Sequence, residues 1–358
     1  MIKRIKNVKL KRISKFVLCI IGLIFFCEYA IYYIVLIQCD WPSDSNMTPE
    51  QPIKVMFVAD THLLGTRKGH WLDKMRREWE MRQSFQTALN IHAPELVFVL
   101  GDLFDEGLWS SDLDFNSYVK TFKYLFSVPH TTKLYTVVGN HDIGFHYSIV
   151  PQLEKRFNKA FNTSPVELIS KRNVHFVLIN SMAMEMDGCF LCYSAELKLK
   201  KIANLLKCSE KSIACSKESM LNGTYSKPIL LQHFPLYRKN DIDCNVVDSA
   251  PMKEKKKPFR EGWDCLRKDA TDKLLKMIKP RLVFGGHTHH GCHIKHTNGI
   301  DEFSVSSFSW RNKYNPNYLL ATFTTDSYAV QICHMPFEYT IVMIYLTSII
   351  FLFFKMLK

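Results

Sequence analysis

Residues 133–146 read KLYTVVGNHDIGFH. The strand formers Leu134, Tyr135, Val137 and Val138 stop at Gly139, and Asn140, His141 and Asp142 follow. A buried strand that ends in glycine and then releases side chains able to bind metal or move protons is how open α/β sheets build sites, at the carboxyl ends of strands. The device recurs along the chain. VMFVADTH ends in Asp60 and His62, and LVFVLGD ends in Asp102. PILLQHF carries His233, and RLVFGGHTH ends in His287 and His289. The expectation is that these strand ends meet.

Each residue alone has an ordinary explanation, since Gly, Asn and Asp favour turns and a lone histidine usually serves structure. The joint pattern is different. In an extended segment the side-chain period is two, so Asp-x-His and His-x-His each place two side chains on one face as chelating pairs. Mixed nitrogen and oxygen donors suit Mn, Fe or Zn better than Ca or Mg. The candidate ligands Asp60, His62, Asp102, Asn140, His233, His287 and His289 are too many for one tetrahedral ion. They suit two divalent ions if one carboxylate bridges. Two ions about 3.5–4 Å apart bind a phosphate ester and activate the attacking water. His141, beside a ligand, is then placed as general acid on the leaving oxygen, with Asp142 to orient it. Arg67, Lys68 and Arg311 are candidate substrate-binding cations, and Arg76 and Arg77 follow the first metal block.

The 358 residues, 47% hydrophobic and 23% charged, fit a globular protein. The formal charge of +13 does not call for nucleic acid. Lys3, Arg4, Lys6, Lys9, Lys11, Arg12 and Lys15 form a basic tail at residues 1–15, beside an apolar run at 16–37 that only Glu28 interrupts among charged residues. That run spans about 33 Å, enough for a bilayer core. A second apolar run occupies 337–354, and Lys355 and Lys358 follow. The positive-inside rule puts both tails, 1–15 and 355–358, in the cytosol and the chain between the spans across the membrane. Lys355 supplies only half of a dilysine retrieval signal.

Cysteines 189, 192, 208, 215 and 244 cluster in a Cys-rich and charged insertion at 185–260. Cys189-x-x-Cys192 reads as a zinc half-site, a redox pair or, most commonly in an oxidising compartment, part of a disulfide-stapled loop. N-x-S/T sites stand at Asn46, Asn162 and Asn222. His146 is left as structural or surface.

A linker at 38–52 leads into a domain at 53–333. Its expected elements are strands at 53–59, 96–100, 134–138, 174–179, 229–232 and 282–284, and helices at 70–92, 112–126, 195–206 and 270–278. The lysine-rich stretch within 238–260 reads as a solvated loop. The remainder to Cys333 alternates with period two and reads as antiparallel strands. The fold class is α/β, a sheet-rich sandwich with helices outside.

The motifs D-x-H, G-D, G-N-H-D, H and G-H-x-H, in that order over about residues 53–330, resemble the calcineurin-like metallophosphoesterase superfamily. The resemblance implies a β-sandwich of two mixed sheets flanked by helices. It implies one metal on Asp60, His62 and His289, a second on Asn140, His233 and His287, Asp102 bridging, and His141 catalytic. The segments ADTHLLG, GHWLDKMRREWEM, LGDLFDEG, GNHDIGFHY, LLQHFPLYR, GGHTH and SVSSFSWRN, bracketed by two spans, are similar to the family of GPI-remodelling phosphodiesterases. That resemblance implies a manganese-dependent enzyme that removes an ethanolamine-phosphate branch from a mannose of the GPI anchor and so promotes ER-to-Golgi transport. The implied partners are a GPI glycolipid or GPI-anchored protein, the membrane, and cargo receptors of ER exit. The implied location is the ER exit site, the ER-Golgi intermediate compartment or the cis-Golgi membrane, with the catalytic domain lumenal. The alternatives are a lumenal phosphomonoesterase or protein phosphatase, and a non-catalytic cargo escort.

Overall fold

Every residue of the stretch LVFVL at 96–100 is buried, because its strand has covered neighbours on both faces. The computed structural model describes residues 2–43, 51–185, 187–211, 215 and 220–357. The glycosylation site expected at Asn46 lies outside the described residues, as do the side chains of Lys3, Arg4, Lys6, Lys9, Lys11 and Arg12. The strands are β1 Ile53–Val58, β2 Leu96–Leu100, β3 Lys133–Val137, β4 Val166–Lys171, β5 Val174–Ile179 and β6 Ile229–Leu231, then β7 Leu282–Gly285, β8 Cys292–Lys295, β9 Asp301–Ser304, β10 Asn317–Phe323 and β11 Tyr328–His334.

They form two mixed sheets. One has the order β11-β10-β1-β2-β3, the other β4-β5-β6-β7-β9-β8. β1, β2 and β3 are parallel, as are β5, β6, β7 and β9. All carboxyl ends within each parallel set therefore point to one edge. The expected antiparallel tail is corrected at β9, which pairs parallel to β7 and antiparallel only to β8.

Alternation decides which side chains fill which layer. Ile53, Val55 and Phe57 of β1 enter the core between the sheets. There the Phe57 ring stacks on Phe284 at 4.1 Å and on Phe98 at 5.7 Å. Removing such a ring costs about 3–5 kcal/mol. Met56 and Val58 instead join the outer apolar layer, with Phe85 and Ala88 of the helix Trp71–His92. That helix is capped by His70, whose ring accepts from the Leu72 N–H, and Ser111 caps Asp112–Leu125 in the same way through Asp114.

Residues 151–171, unassigned from sequence, form the helix Pro151–Phe161 and β4. The lysine-rich loop holds a short helix, Met252–Lys255, and Lys255 is buried, donating to the Cys244 carbonyl. The insertion is stapled less than expected. Cys208 pairs with Cys215, Cys244 reaches Cys292 outside the insertion, and Cys189 and Cys192 remain thiols.

Among the described residues, two helices are long and apolar enough to cross a membrane, Ile13–Leu36 and Glu338–Lys355. The first contains a π-helical turn, Phe26–Ala30, that carries Glu28. Glu28 pairs with Arg76 at 2.6 Å and accepts from the Tyr345 hydroxyl at 2.8 Å. Arg76 and Arg77 both pair with the buried Glu80, at 2.9 and 3.0 Å, and Arg77 also pairs with Glu338 at 2.8 Å. One charge cluster thus joins both apolar helices to the domain. A disulfide between Cys39 and Cys333 joins them again, just beyond the first helix and just before the second.

Candidate metal centre

The site forms where the carboxyl ends of β1, β2 and β3 meet those of β6 and β7. Backbone bonds stitch the ends: Asp60 N–H donates to the Gly101 carbonyl at 3.1 Å, His62 N–H to the Asp102 carbonyl at 3.0 Å, and Gly286 N–H to the His233 carbonyl at 2.8 Å. The glycines are required by closeness. A Cβ on Gly139 would lie 2.2 Å from an Asp102 oxygen, and one on Gly101, at φ +90°, would lie 2.4 Å from the His233 ring.

The chelating pairs are not presented by strand alternation. β1 ends at Val58 and β7 at Gly285, before the pairs begin. Asp60, His62, Asp102, His287 and His289 all adopt φ between 43° and 74°. Non-glycine residues rarely hold that left-handed conformation, and it concentrates at functional sites. Its effect is to splay each pair around a common centre.

Asp60, His62, Asp102 and His289 each offer a ligand atom within 4.8 Å of one another, and Asp102, His233 and His287 do the same. Asp102 belongs to both groups. Its Oδ2 lies 3.6 Å from His62 Nε2 and 3.3 Å from His233 Nε2. Asn140 Oδ1 lies 3.0 Å from His233 Nε2, which joins Asn140 to the second group. Outer partners orient the rings. His233 Nδ1 donates to the Leu100 carbonyl at 2.8 Å and His287 Nε2 to the Trp263 carbonyl at 2.7 Å. Metal-binding imidazoles characteristically spend their second nitrogen in this way.

The charges fit cations. Asp60 and Asp102 are both wholly enclosed. Burial, with the Asp102 charge adding to it, pushes Asp60 up to about 8. Burial also opposes ionisation of Asp102, but His233 and His62 beside it hold it well below the carboxylate range. The same pairing lifts His233 to about 9 against its burial, whereas burial drives His287 down to about 3. His62 and His289 turn their Nε2 atoms toward each other at 2.9 Å. Two enclosed carboxylates ringed by imidazoles with converging nitrogens are a donor set for divalent ions.

The match to known proteins agrees with this chemistry. The model of the calcineurin-like phosphoesterase family matches residues 53–291. The chain belongs to the calcineurin-like phosphoesterase family. Among relatives, it is 45% identical to metallophosphoesterase 1 of Gallus gallus, over 95% of this chain and 89% of that one. It is 46% identical to metallophosphoesterase 1 of Mus musculus, over 92% and 85%. A solved dimetal phosphatase from Danio rerio is similar at 14% identity and a TM-score of 0.48, covering 80% of this chain and 100% of that one. The calcineurin-like phosphoesterases use dinuclear centres, and this chain is a metal-dependent phosphoesterase.

In this phosphoesterase, His141 sits beside the cluster with its backbone N–H on Asp102 Oδ1 at 2.8 Å. Its ring meets that of His62 at 4.7 Å. Asp142 does not orient that ring, contrary to expectation. Its buried carboxylate accepts from the Phe104 N–H at 3.0 Å and the Gly139 N–H at 2.8 Å, which fixes the turn. The group that meets the ring is Asp105, whose carbonyl accepts from His141 Nδ1 at 3.0 Å. The Asp105 carboxylate also faces His62 Nδ1 at 3.5 Å and pairs with Arg311 at 2.7 Å. Sequence reading missed this residue. Its signal was an acid three positions after Asp102 in LGDLFDEG.

Of the candidate cations, Arg311 and Lys68 reach the site through Asp105, Lys68 at 3.9 Å. Arg67 is exposed, and its backbone N–H, like that of Lys68, donates to the buried Glu106. Arg76 and Arg77 are committed to the charge cluster at the apolar helices.

Proposed function

We propose that this phosphoesterase is a phosphodiesterase that removes an ethanolamine-phosphate branch from a mannose of the GPI anchor, in the lumen at ER exit, the ER-Golgi intermediate compartment or the cis-Golgi. GPI glycolipid or GPI-anchored protein is the substrate, and trimming promotes export, with cargo receptors of ER exit as partners. The resemblance of the motifs supplies the substrate class. The observation that carries a lipid-linked substrate is the course of the helix Trp71–His92 beside the first apolar helix. His92 meets Trp41, Asn90 meets Tyr33, Trp79 meets Tyr29, and Arg76 meets Glu28. The partners rise in number together, so the two helices run side by side in the same direction. The amino end of Trp71–His92 points back along the apolar helix, with Trp71 (68% exposed), Leu72 and Met75 uncovered. Exposed Trp beside an apolar span suits the membrane interface. The loop from His62 to His70 connects the metal centre to that end.

In this reading Asp60, His62 and His289 would hold one ion and Asn140, His233 and His287 the other, with Asp102 serving both ligand groups. Two divalent ions bound there, manganese in our assignment, would supply positive charge for the phosphate and lower the pKa of a water. A bond forms from the water oxygen to phosphorus while the bond from phosphorus to the mannose oxygen breaks. His141 Nε2 gives its proton to that leaving oxygen. Asp105 holds the His141 ring, and Arg311 and Lys68 face the phosphate and its branch.

The test is the glycan chemistry of GPI anchors in cells with and without the protein, read by mass spectrometry. Retained ethanolamine phosphate on mannose is expected without it, and unchanged anchors would overturn the substrate. Purified full chain with manganese should cleave a mannose ethanolamine-phosphate diester faster than a monoester. The reverse preference points to a phosphomonoesterase.

A further inference from the structure

His146, Asp187, Cys189 and Cys192 each offer a donor atom within 4.8 Å of one another. None of them belongs to the metal centre. His146 Nδ1 donates to the Met182 carbonyl at 3.0 Å, which leaves Nε2 as the nitrogen with a free lone pair. That Nε2 points at Asp187 Oδ2, 2.8 Å away. A lone pair facing a carboxylate oxygen at this distance needs a proton or a cation. Metal-ligating histidines characteristically anchor one ring nitrogen on such a carbonyl and keep the other for the ion. The cysteines repeat the logic. The Cys192 N–H donates to Cys189 Sγ at 3.0 Å, and Cys192 Sγ lies 3.3 Å from Asp187 Oδ1. Both are thiols, as are Cys19, Cys27 and Cys265, while Cys39, Cys208, Cys215, Cys244, Cys292 and Cys333 are paired.

We propose that His146, Asp187, Cys189 and Cys192 form a third metal site, a structural zinc clamp separate from the catalytic pair. Two sulfurs, one imidazole nitrogen and one carboxylate oxygen make a closed four-ligand set, which zinc accepts in tetrahedral geometry. Thiolate softness selects zinc over manganese or magnesium. On binding, each cysteine gives up its proton to solvent and no electrons are transferred. Coordination holds the sulfurs as thiolates and keeps them from oxidation.

The clamp joins two segments far apart in sequence. It ties the loop after His141 to the start of the helix Phe190–Lys211. From that loop Phe145 and Tyr147 pack on Trp263 at 4.7 and 5.2 Å, and the Trp263 carbonyl holds His287. Zinc there stiffens one wall of the catalytic opening without touching the reacting atoms.

The test uses the full chain purified in detergent from zinc-supplemented cells. A mercurial reagent is titrated against its thiols while a zinc-sensitive dye reports released metal. Release of about one zinc per chain is expected from the native protein, and none from Cys189→Ser/Cys192→Ser. Equal release from both proteins, or none from either, overturns the site. So does peptide mapping that finds Cys189 and Cys192 disulfide-linked. Should the double variant fail to fold, cobalt-loaded native chain decides. Thiolate-to-cobalt charge-transfer absorption in the near ultraviolet is expected, and its absence refutes the clamp.

Discussion

The metal centre and the junction with the apolar helices both enclose carboxylates, and they neutralise them in different ways. At the junction, Glu28, Glu80 and Glu338 face the guanidinium groups of Arg76 and Arg77. Burial still lifts Glu80 to about 7, so the arginines offset its cost without removing it. At the centre, Asp60 and Asp102 are enclosed with imidazoles around them. The junction brings its own permanent cations and serves architecture. The centre has its carboxylates and converging nitrogens arranged for cations from solution, which suits chemistry. Buried acids are informative only when their partners are counted.

The largest expected contrast comes from Asp102→Asn. It removes the carboxylate shared by both ligand groups, and turnover should fall by at least about 10⁴-fold, a loss of roughly 5–6 kcal/mol of transition-state stabilisation. Metal analysis should show fewer than two ions per chain. Unaltered metal content would mean that Asp102 does not bridge. His141→Ala comes next, at about 10²–10³-fold in kcat with metal content intact. Asn140→Ala should instead lose metal, and equal metal loss in the two variants would erase the division between ligand and acid.

At the junction, Arg76→Met should spare kcat per folded molecule and destabilise the full chain by about 3–5 kcal/mol, since it strands Glu28 and leaves Glu80 with Arg77 alone. Denaturant unfolding in detergent measures this, and an unmoved midpoint would show that Arg77 alone neutralises the cluster. The smallest effect concerns His92, whose carbonyl holds Trp41 and whose Nε2 meets the Tyr318 hydroxyl at 2.9 Å. Burial lowers its pKa from 6.5 to about 4. The unfolded chain therefore binds the extra proton between those values. The stability His92 contributes is fully present above about pH 6.5 and is lost as pH falls toward 4. His92→Gln should flatten that part of the unfolding-midpoint profile relative to native protein, and parallel profiles would remove His92 from the account.

Much of this was legible from residues. The strands at 96–100 and 174–179 stand where their apolar runs put them, because strands buried on both faces leave a continuous hydrophobic signature. The polar residues that follow β1, β2, β3, β6 and β7 converge, since parallel strands deliver their carboxyl ends to one edge. The left-handed backbone at Asp60, His62, Asp102, His287 and His289 was not legible. It arises from close packing of two sheets, which no local pattern encodes. The orienting role of Asp105 was hidden for a related reason, as it acts through a backbone carbonyl that any residue type supplies. Asp142 looked like the natural partner by adjacency, but one helical turn points it toward Phe104. Arg76 and Arg77 follow the first metal block in sequence, yet their acids are Glu80 of their own helix and Glu28 and Glu338 of the apolar helices.

The disulfide between Cys39 and Cys333 turns the whole catalytic body into a closed ring clasped at the point where it meets the two apolar helices. One cut by a protease anywhere in that ring divides the chain yet frees neither half. Each fragment keeps its own apolar helix, and the clasp keeps the fragments together. Shedding would take two cuts, and a singly nicked enzyme should run as a single band on a non-reducing gel and as two bands once reduced.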